Sequence, residues 1–269
     1  MIDQKAIEII EKYGLCHDAV EQNRQVLQDM GFRIGKQAEY VIIIGCFQTR
    51  YIPEVLQALR NVLDRLNISY SLLEKEYCCG WYTIGKPALK SKSEEDIASF
   101  KQLSRQFITK NFEQAKKLGA KSVALFCVGC EPNYDNARDL TDLEVISLSE
   151  LIDRHFSGGR LDAEIDYYVG CHRASRKLTH KKVDIESPAR ILQKIDGLKI
   201  NYLDNRFCCT IPSLLDKLVV DIKTRCVVNI CTSCYLNLKA RLANEGAIQV
   251  RMLPEIVWQA LDGNKEKPA

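Results

Sequence analysis

The chain has 269 residues, 46% hydrophobic and 27% charged, with a net charge of +3 at pH 7. Such a composition fits a soluble globular protein with room for one or two cored domains, and the charge is too small to point to nucleic acid. Twelve cysteines are the unusual feature. Disulfide scaffolds are short, secreted and denser in cysteine, above roughly 8% of residues, so these read as reduced thiols for metal or redox chemistry in a cytoplasm. The longest apolar run, Val41 to Ile44 and extendable to Phe47, falls well short of the ~20 residues of a spanning helix. Met1-Ile2-Asp3-Gln4-Lys5 has no apolar stretch behind it, so no secretory leader is expected.

In chain order, residues 3–30 carry helical spacing with a break near Gly14. Residues 40–46 are a continuous apolar run of strand length, as in a parallel sheet covered on both faces. A helix is expected over 53–66 and a strand over 68–73, leading to Cys78-Cys79-Gly80. Residues 90–96 are polar loop, 95–118 a long helix stopped by Gly119, and 122–126 a strand ending at Cys127-x-x-Cys130. The order then repeats. A strand over 165–169 meets Gly170-Cys171, a helix covers 187–195, and a strand over 200–203 precedes Cys208-Cys209. A helix over 212–223 and a strand over 226–230 lead to Cys231-x-x-Cys234, with a helix to 242 and a loose tail from 262.

The repeat is visible in the letters. Ile44-Gly45-Cys46 matches Val169-Gly170-Cys171, Tyr77-Cys78-Cys79 matches Phe207-Cys208-Cys209, and Phe126-Cys127 matches Ile230-Cys231. Alternating strands and helices predict an α/β fold of two pseudo-twofold-related lobes, each a largely parallel sheet flanked by helices. The expected division is an N-terminal helical extension over 1–38, lobes over 39–160 and 161–262, and a tail over 263–269. Ligands of open parallel sheets bind beyond the carboxyl ends of the strands, and every repeated cysteine group follows a strand there.

Each set holds five thiols: Cys46, Cys78, Cys79, Cys127, Cys130 and Cys171, Cys208, Cys209, Cys231, Cys234. Thiolates select zinc, Cu(I) and iron–sulfur clusters. Five exceed the four ligands of a structural zinc, and vicinal thiolates are suited to different irons of one cluster, which favours iron–sulfur over zinc. Cys16 and Cys226 stand outside the repeat and read as small non-ligand residues.

The duplicated order Cys…Cys-Cys-Gly…Cys-x-x-Cys resembles the cysteine-rich CCG domain of the heterodisulfide reductase family, over roughly residues 40–240. The resemblance implies two noncubane 4Fe-4S clusters, each held by one of the five-cysteine sets, with zinc in one lobe as an alternative. It implies a catalytic subunit that reduces a disulfide, or oxidises thiols, in two one-electron steps. Thr210 stands where the family usually has glycine, and the stretch between Cys79 and Cys127 is longer than usual.

No G-x-G-x-x-G fingerprint and no ferredoxin-type C-x-x-C-x-x-C run is present. Electrons would then come from a ferredoxin-like iron–sulfur partner subunit, with a flavoprotein behind it. Arg173, Arg176 and Lys177 read either as a basic rim for an anionic thiol substrate or as a solvated face. His172 adjoins a proposed ligand, and reads as a proton donor to a leaving thiolate or as a hydrogen bond that shapes the site. Trp81 reads as a wall of the site or as ordinary packing. Two other functions stay open: an electron-transfer subunit of a quinone-linked dehydrogenase, peripheral to the membrane through a partner, and a zinc-bound interaction scaffold.

Overall fold

The computed structural model describes residues 3–16, 20–172, 178–179, 181–203, 206–243 and 246–263. They form two compact units, neither contiguous in sequence. The first is Met1–Arg50, Ser69–Leu148 and Ala174–Lys182; the second is Tyr51–Ile68, Ser149–Arg173 and Val183–Ala269.

The first unit is built on a parallel sheet of β1 (Tyr40–Ile43), β2 (Tyr70–Leu72), β3 (Ser122–Leu125) and β4 (Glu144–Ser147), ordered β2-β1-β3-β4. All residues of β1 and β3 are buried, as the continuous apolar runs require of central strands covered on both faces. The helix Glu94–Lys117 packs Ile108, Phe112 and Ala115 against Val41, Val123 and Val145 of the sheet. Its limits follow from its ends. The Ser93 hydroxyl accepts the Asp96 amide at 3.2 Å, three acidic residues fill the first turn, Lys116 and Lys117 the last, and Gly119 leaves with φ of 72°.

The second unit repeats the order with β5 (Gly159–Tyr168), β6 (Ile195–Leu203), β7 (Cys226–Asn229) and β8 (Gln249–Met252), arranged β6-β5-β7-β8 and again parallel. The α/β architecture expected from the repeat is thus present twice. The helix Pro53–Arg65 falls between β1 and β2 in sequence but belongs to the second unit, where it packs against the helix Leu253–Asp262. There Glu54 accepts hydrogen bonds from the Tyr235 hydroxyl at 2.8 Å and from Lys239 at 2.9 Å.

Several elements differ from the sequence reading. The described part of the first thirty residues forms two helices, Gln4–Tyr13 and Val20–Asp29, parted after the expected break at Gly14. The strands β4 and β8 and the helix Leu253–Asp262 carry no prior signal, because Glu144-Val145-Ile146-Ser147 and Gln249-Val250-Arg251-Met252 are edge strands too short for a period to show. β6 begins at Ile195, where helix was expected, since only the two end residues of this edge strand are buried and it needs no apolar run. No helix of the described residues is long and apolar enough to cross a membrane.

One buried carboxylate organises the second sheet. Asp166 of β5 is fully buried and accepts the Lys223 and Thr224 amides at 3.0 and 2.6 Å, together with the amide side chain of Asn201 on β6. It therefore fixes the turn that feeds β7 and the cysteines beyond it. Asp166→Ala would orphan these donors. The expected loss is about 3 kcal/mol, at roughly 1–3 kcal/mol per unsatisfied group, read as a lowered urea midpoint with an unchanged slope.

Candidate metal centres

The strand order places β1 between β2 and β3, and β5 between β6 and β7. Parallel strands end together, so Cys46, Cys78-Cys79 and Cys127-x-x-Cys130 leave three neighbouring strands at one edge. Cys171, Cys208-Cys209 and Cys231-x-x-Cys234 do the same in the second sheet. Among the described residues no cysteine is in a disulfide.

In the first unit the thiols form a continuous chain of contacts. Cys46 and Cys78 lie 3.4 Å apart, and Cys79 and Cys130 3.5 Å apart. Cys78 also contacts Cys79, and Cys127 contacts Cys130. The vicinal pair therefore divides, Cys78 towards Cys46 and Cys79 towards Cys130. Cys46, Cys78, Cys79 and Cys130 are buried, whereas Cys127 is half-buried. Cys16, expected to be a non-ligand, joins this site: its sulfur and those of Cys46 and Cys78 lie within 4.8 Å of one another. Sequence spacing gave no signal for it, because Cys16 has no counterpart in the repeat.

Backbone turns present these thiols. Gly45 at φ of 96° and Gly80 at φ of 73° occupy left-handed positions beside Cys46 and Cys79, conformations that favour glycine. The Gly80 amide donates to the Cys78 sulfur at 3.4 Å. The Cys130 amide donates to the Cys127 carbonyl at 2.8 Å, closing the C-x-x-C turn. Trp81 follows Gly80, and its indole lies close to Gly129 between the two cysteines of that turn. It also packs on Phe100, with ring centres 6.4 Å apart.

Polar side chains lock the segment before Cys78. Asn111 accepts the Tyr77 amide and donates to the Tyr77 carbonyl, both at 2.7 Å, and donates to the Tyr134 hydroxyl at 2.7 Å. Gln114, one turn on, pairs with the backbone of Lys75 in the same manner. Between them Glu76 turns the other way and accepts the Ile44 and Gly45 amides at 2.9 and 2.7 Å. Burial pushes the Glu76 carboxyl up to about 7 against the pull of those amides. Asn133 donates to the Cys79 sulfur at 3.5 Å. These groups escaped the sequence reading because only the fold brings the helix Glu94–Lys117 beside the Cys78 loop.

The second site follows the same plan. Cys209 and Cys234 lie 3.4 Å apart, matching Cys79 and Cys130, and Asn237 stands by Cys209 as Asn133 does by Cys79. Both asparagines follow the second cysteine of their C-x-x-C by three residues. Cys231 caps the helix Thr232–Leu242. Hydrogen bonds from the Cys234 thiol and from the Ser233 and Cys234 amides draw its thiol down to about 7. Cys209 and Cys231, together with burial, raise Cys234 well above the usual thiol range. Tyr168 donates to the Phe207 carbonyl and feels Cys171, Cys208, Cys209 and Cys234 together, so it joins the end of β5 to the Cys208 segment.

Thr210 and His172 are among the residues at which the sites differ. Thr210 holds no left-handed conformation and sets its hydroxyl 3.1 Å from the Cys208 sulfur. His172, at φ of 46°, points its Nε2 to the Val169 carbonyl at 2.7 Å, and the ring lies over Gly170. Arg173, Arg176 and Lys177 lie outside the described residues.

The donor set fits a soft metal centre. Thiolates sharing one ion with bonds of ~2.3 Å stand about 3.8 Å apart in tetrahedral geometry, so the observed 3.4–3.5 Å contacts need only slight spreading. Five or six thiols at the first site exceed what a single zinc takes.

The comparisons agree with this geometry. Residues 40–133 match the family model of the CCG cysteine-rich domain, so the first thiol set lies on a CCG-type segment. The chain is 22% identical over 93% of its length to a component of the fumarate reductase (CoM/CoB) of Methanothermobacter marburgensis, covering 51% of that protein. It is 26% identical over 66% of its length to a component of the dihydromethanophenazine:CoB–CoM heterodisulfide reductase of Methanosarcina mazei, covering 44% of it. It thus spans about half of either relative. Lactate utilization protein A of Halalkalibacterium halodurans is 23% identical over 80% of this chain and 95% of its own length.

Asn111→Ala removes three hydrogen bonds behind the Cys78 loop. The expected loss is about 3 kcal/mol, against about 1 kcal/mol for Tyr134→Phe, both measured by urea unfolding. The alanine variant should also retain less metal than the phenylalanine variant on anaerobic gel filtration.

Proposed function

We propose that the chain is an iron–sulfur redox subunit of a heterodisulfide reductase-like complex, reducing a disulfide or oxidising thiols. The observation that carries this reading is the recurrence of one thiol arrangement at two sheet edges, down to the asparagine beside Cys79 and Cys209. The reductase names of two relatives support it.

Cys46, Cys78, Cys79, Cys127 and Cys130 would hold one cluster and Cys171, Cys208, Cys209, Cys231 and Cys234 the other, both of noncubane 4Fe-4S type. When bound, such clusters supply single electrons and a soft iron to which sulfur can attach. Reducing a disulfide consumes two electrons and two protons, breaks one S–S bond and yields two thiols. Two centres delivering one electron each satisfy that balance without a free sulfur radical. A ferredoxin-like partner subunit, with a flavoprotein behind it, would supply the electrons. His172, next to Cys171 in the chain, would donate the proton to a leaving thiolate. The basic run Arg173, Arg176 and Lys177 suits an anionic thiol substrate.

A second reading is favoured by coverage. The chain matches nearly the whole length of lactate utilization protein A. In that case the clusters relay electrons from lactate oxidation and meet no disulfide.

Anaerobic purification should yield about eight irons and eight sulfides per chain, as two four-iron clusters require. Cys209→Ala should keep about half of the iron and lose disulfide turnover driven by an artificial one-electron reductant. Full turnover in that variant would refute the disulfide reading. Loaded wild-type protein with no such turnover would favour the relay. Colourless, zinc-loaded and iron-free protein would leave an interaction scaffold.

A further inference from the structure

The geometry assigns Cys16 as a sixth protein thiolate of the first metal centre, an inference that rests on reading that site as a metal centre. The repeat supplies five thiols there; the sixth comes from the segment before β1. The three sulfurs of Cys16, Cys46 and Cys78 lie within 4.8 Å of one another. Thiolates on one ion with bonds of ~2.3 Å can be at most about 4.6 Å apart, so small rotations bring all three into range.

Cys16 is delivered by built contacts. The Gly14 carbonyl accepts the Cys78 amide at 2.7 Å. Gly14 has φ of 83°, and a Cβ there would stand 2.5 Å from the Glu76 carbonyl oxygen, so glycine is required for this approach. Lys75 donates to the carbonyls of Glu11 and Lys12 at 3.2 and 3.0 Å, tying the end of the helix Gln4–Tyr13 to the same loop. Ala6, Ile10 and Leu15 are buried in one cluster with Cys46 and Cys78. The contacts that cover the first cysteine group therefore also place a thiol against it.

The second set has no equivalent in the sequence. The remaining cysteine, Cys226, opens β7 at the end opposite Cys231. The two centres are thus chemically unequal, six thiols against five. Ligation joins Cys16 to the metal as a thiolate through a metal–sulfur bond, with no change of oxidation state.

The test uses the full chain purified anaerobically, as loaded protein and after chelator stripping. Timed iodoacetamide labelling and peptide mass spectrometry follow Cys16, with electron paramagnetic resonance and metal content on Cys16→Ser and Cys16→Ala. Cys16 should label about ten-fold more slowly in loaded protein than in stripped protein, since metal-bound sulfur is a poor nucleophile. Both variants should change the spectrum of one centre and leave the other as in the wild type. Equal labelling rates, or a wild-type spectrum in both variants, would overturn the assignment alone. Wild-type protein that binds no iron, sulfide or zinc would overturn the metal-centre reading beneath it.

Discussion

Buried thiols in van der Waals contact cannot all ionise in a low-dielectric setting, because each thiolate raises the cost of the next. That constraint governs both sites. Cys46 and Cys130 are held well above the usual thiol range by neighbouring thiols and burial, and Cys234 by Cys209, Cys231 and burial. Cys16 is held well below that range by donation from Cys46 and Cys78.

Hydrogen bonds to the loop backbone hold the thiols in place beside those that reach sulfur. Glu76, Asn111 and Gln114 fix the Cys78 segment to the end of β1 and to one long helix. Tyr168 makes the corresponding tie in the second unit, from the end of β5 to the carbonyl before Cys208. The same mechanical need is met by a carboxylate in one case and a phenol in the other. The repeat thus keeps the Cys79–Cys130 approach as Cys209–Cys234, while the groups that tie the loops differ.

The departures lie where such freedom would place them. Gly80 turns through a left-handed conformation and gives an amide to sulfur, whereas Thr210 offers a hydroxyl instead. The segment before β1 adds helix, apolar cover and a thiol to the first site.

The parallel α/β plan was legible in the sequence because fully buried strands must be continuous apolar runs, as in residues 40–46 and 122–126. The ten repeated cysteines were legible because ligand-bearing loops recur at fixed places after those strands. The edge strands β4 and β8 were not, since four residues with only two buried in each make too short a run to stand out. Nor was the place of the helix Pro53–Arg65, whose apolar face fits either sheet by pattern and is settled by packing against Leu253–Asp262. Cys16, Glu76, Asn111 and Tyr168 became site residues only in three dimensions. Their partners lie on other elements of the chain, and a contact between elements is set by how helices and strands pack, which no local run of residues encodes.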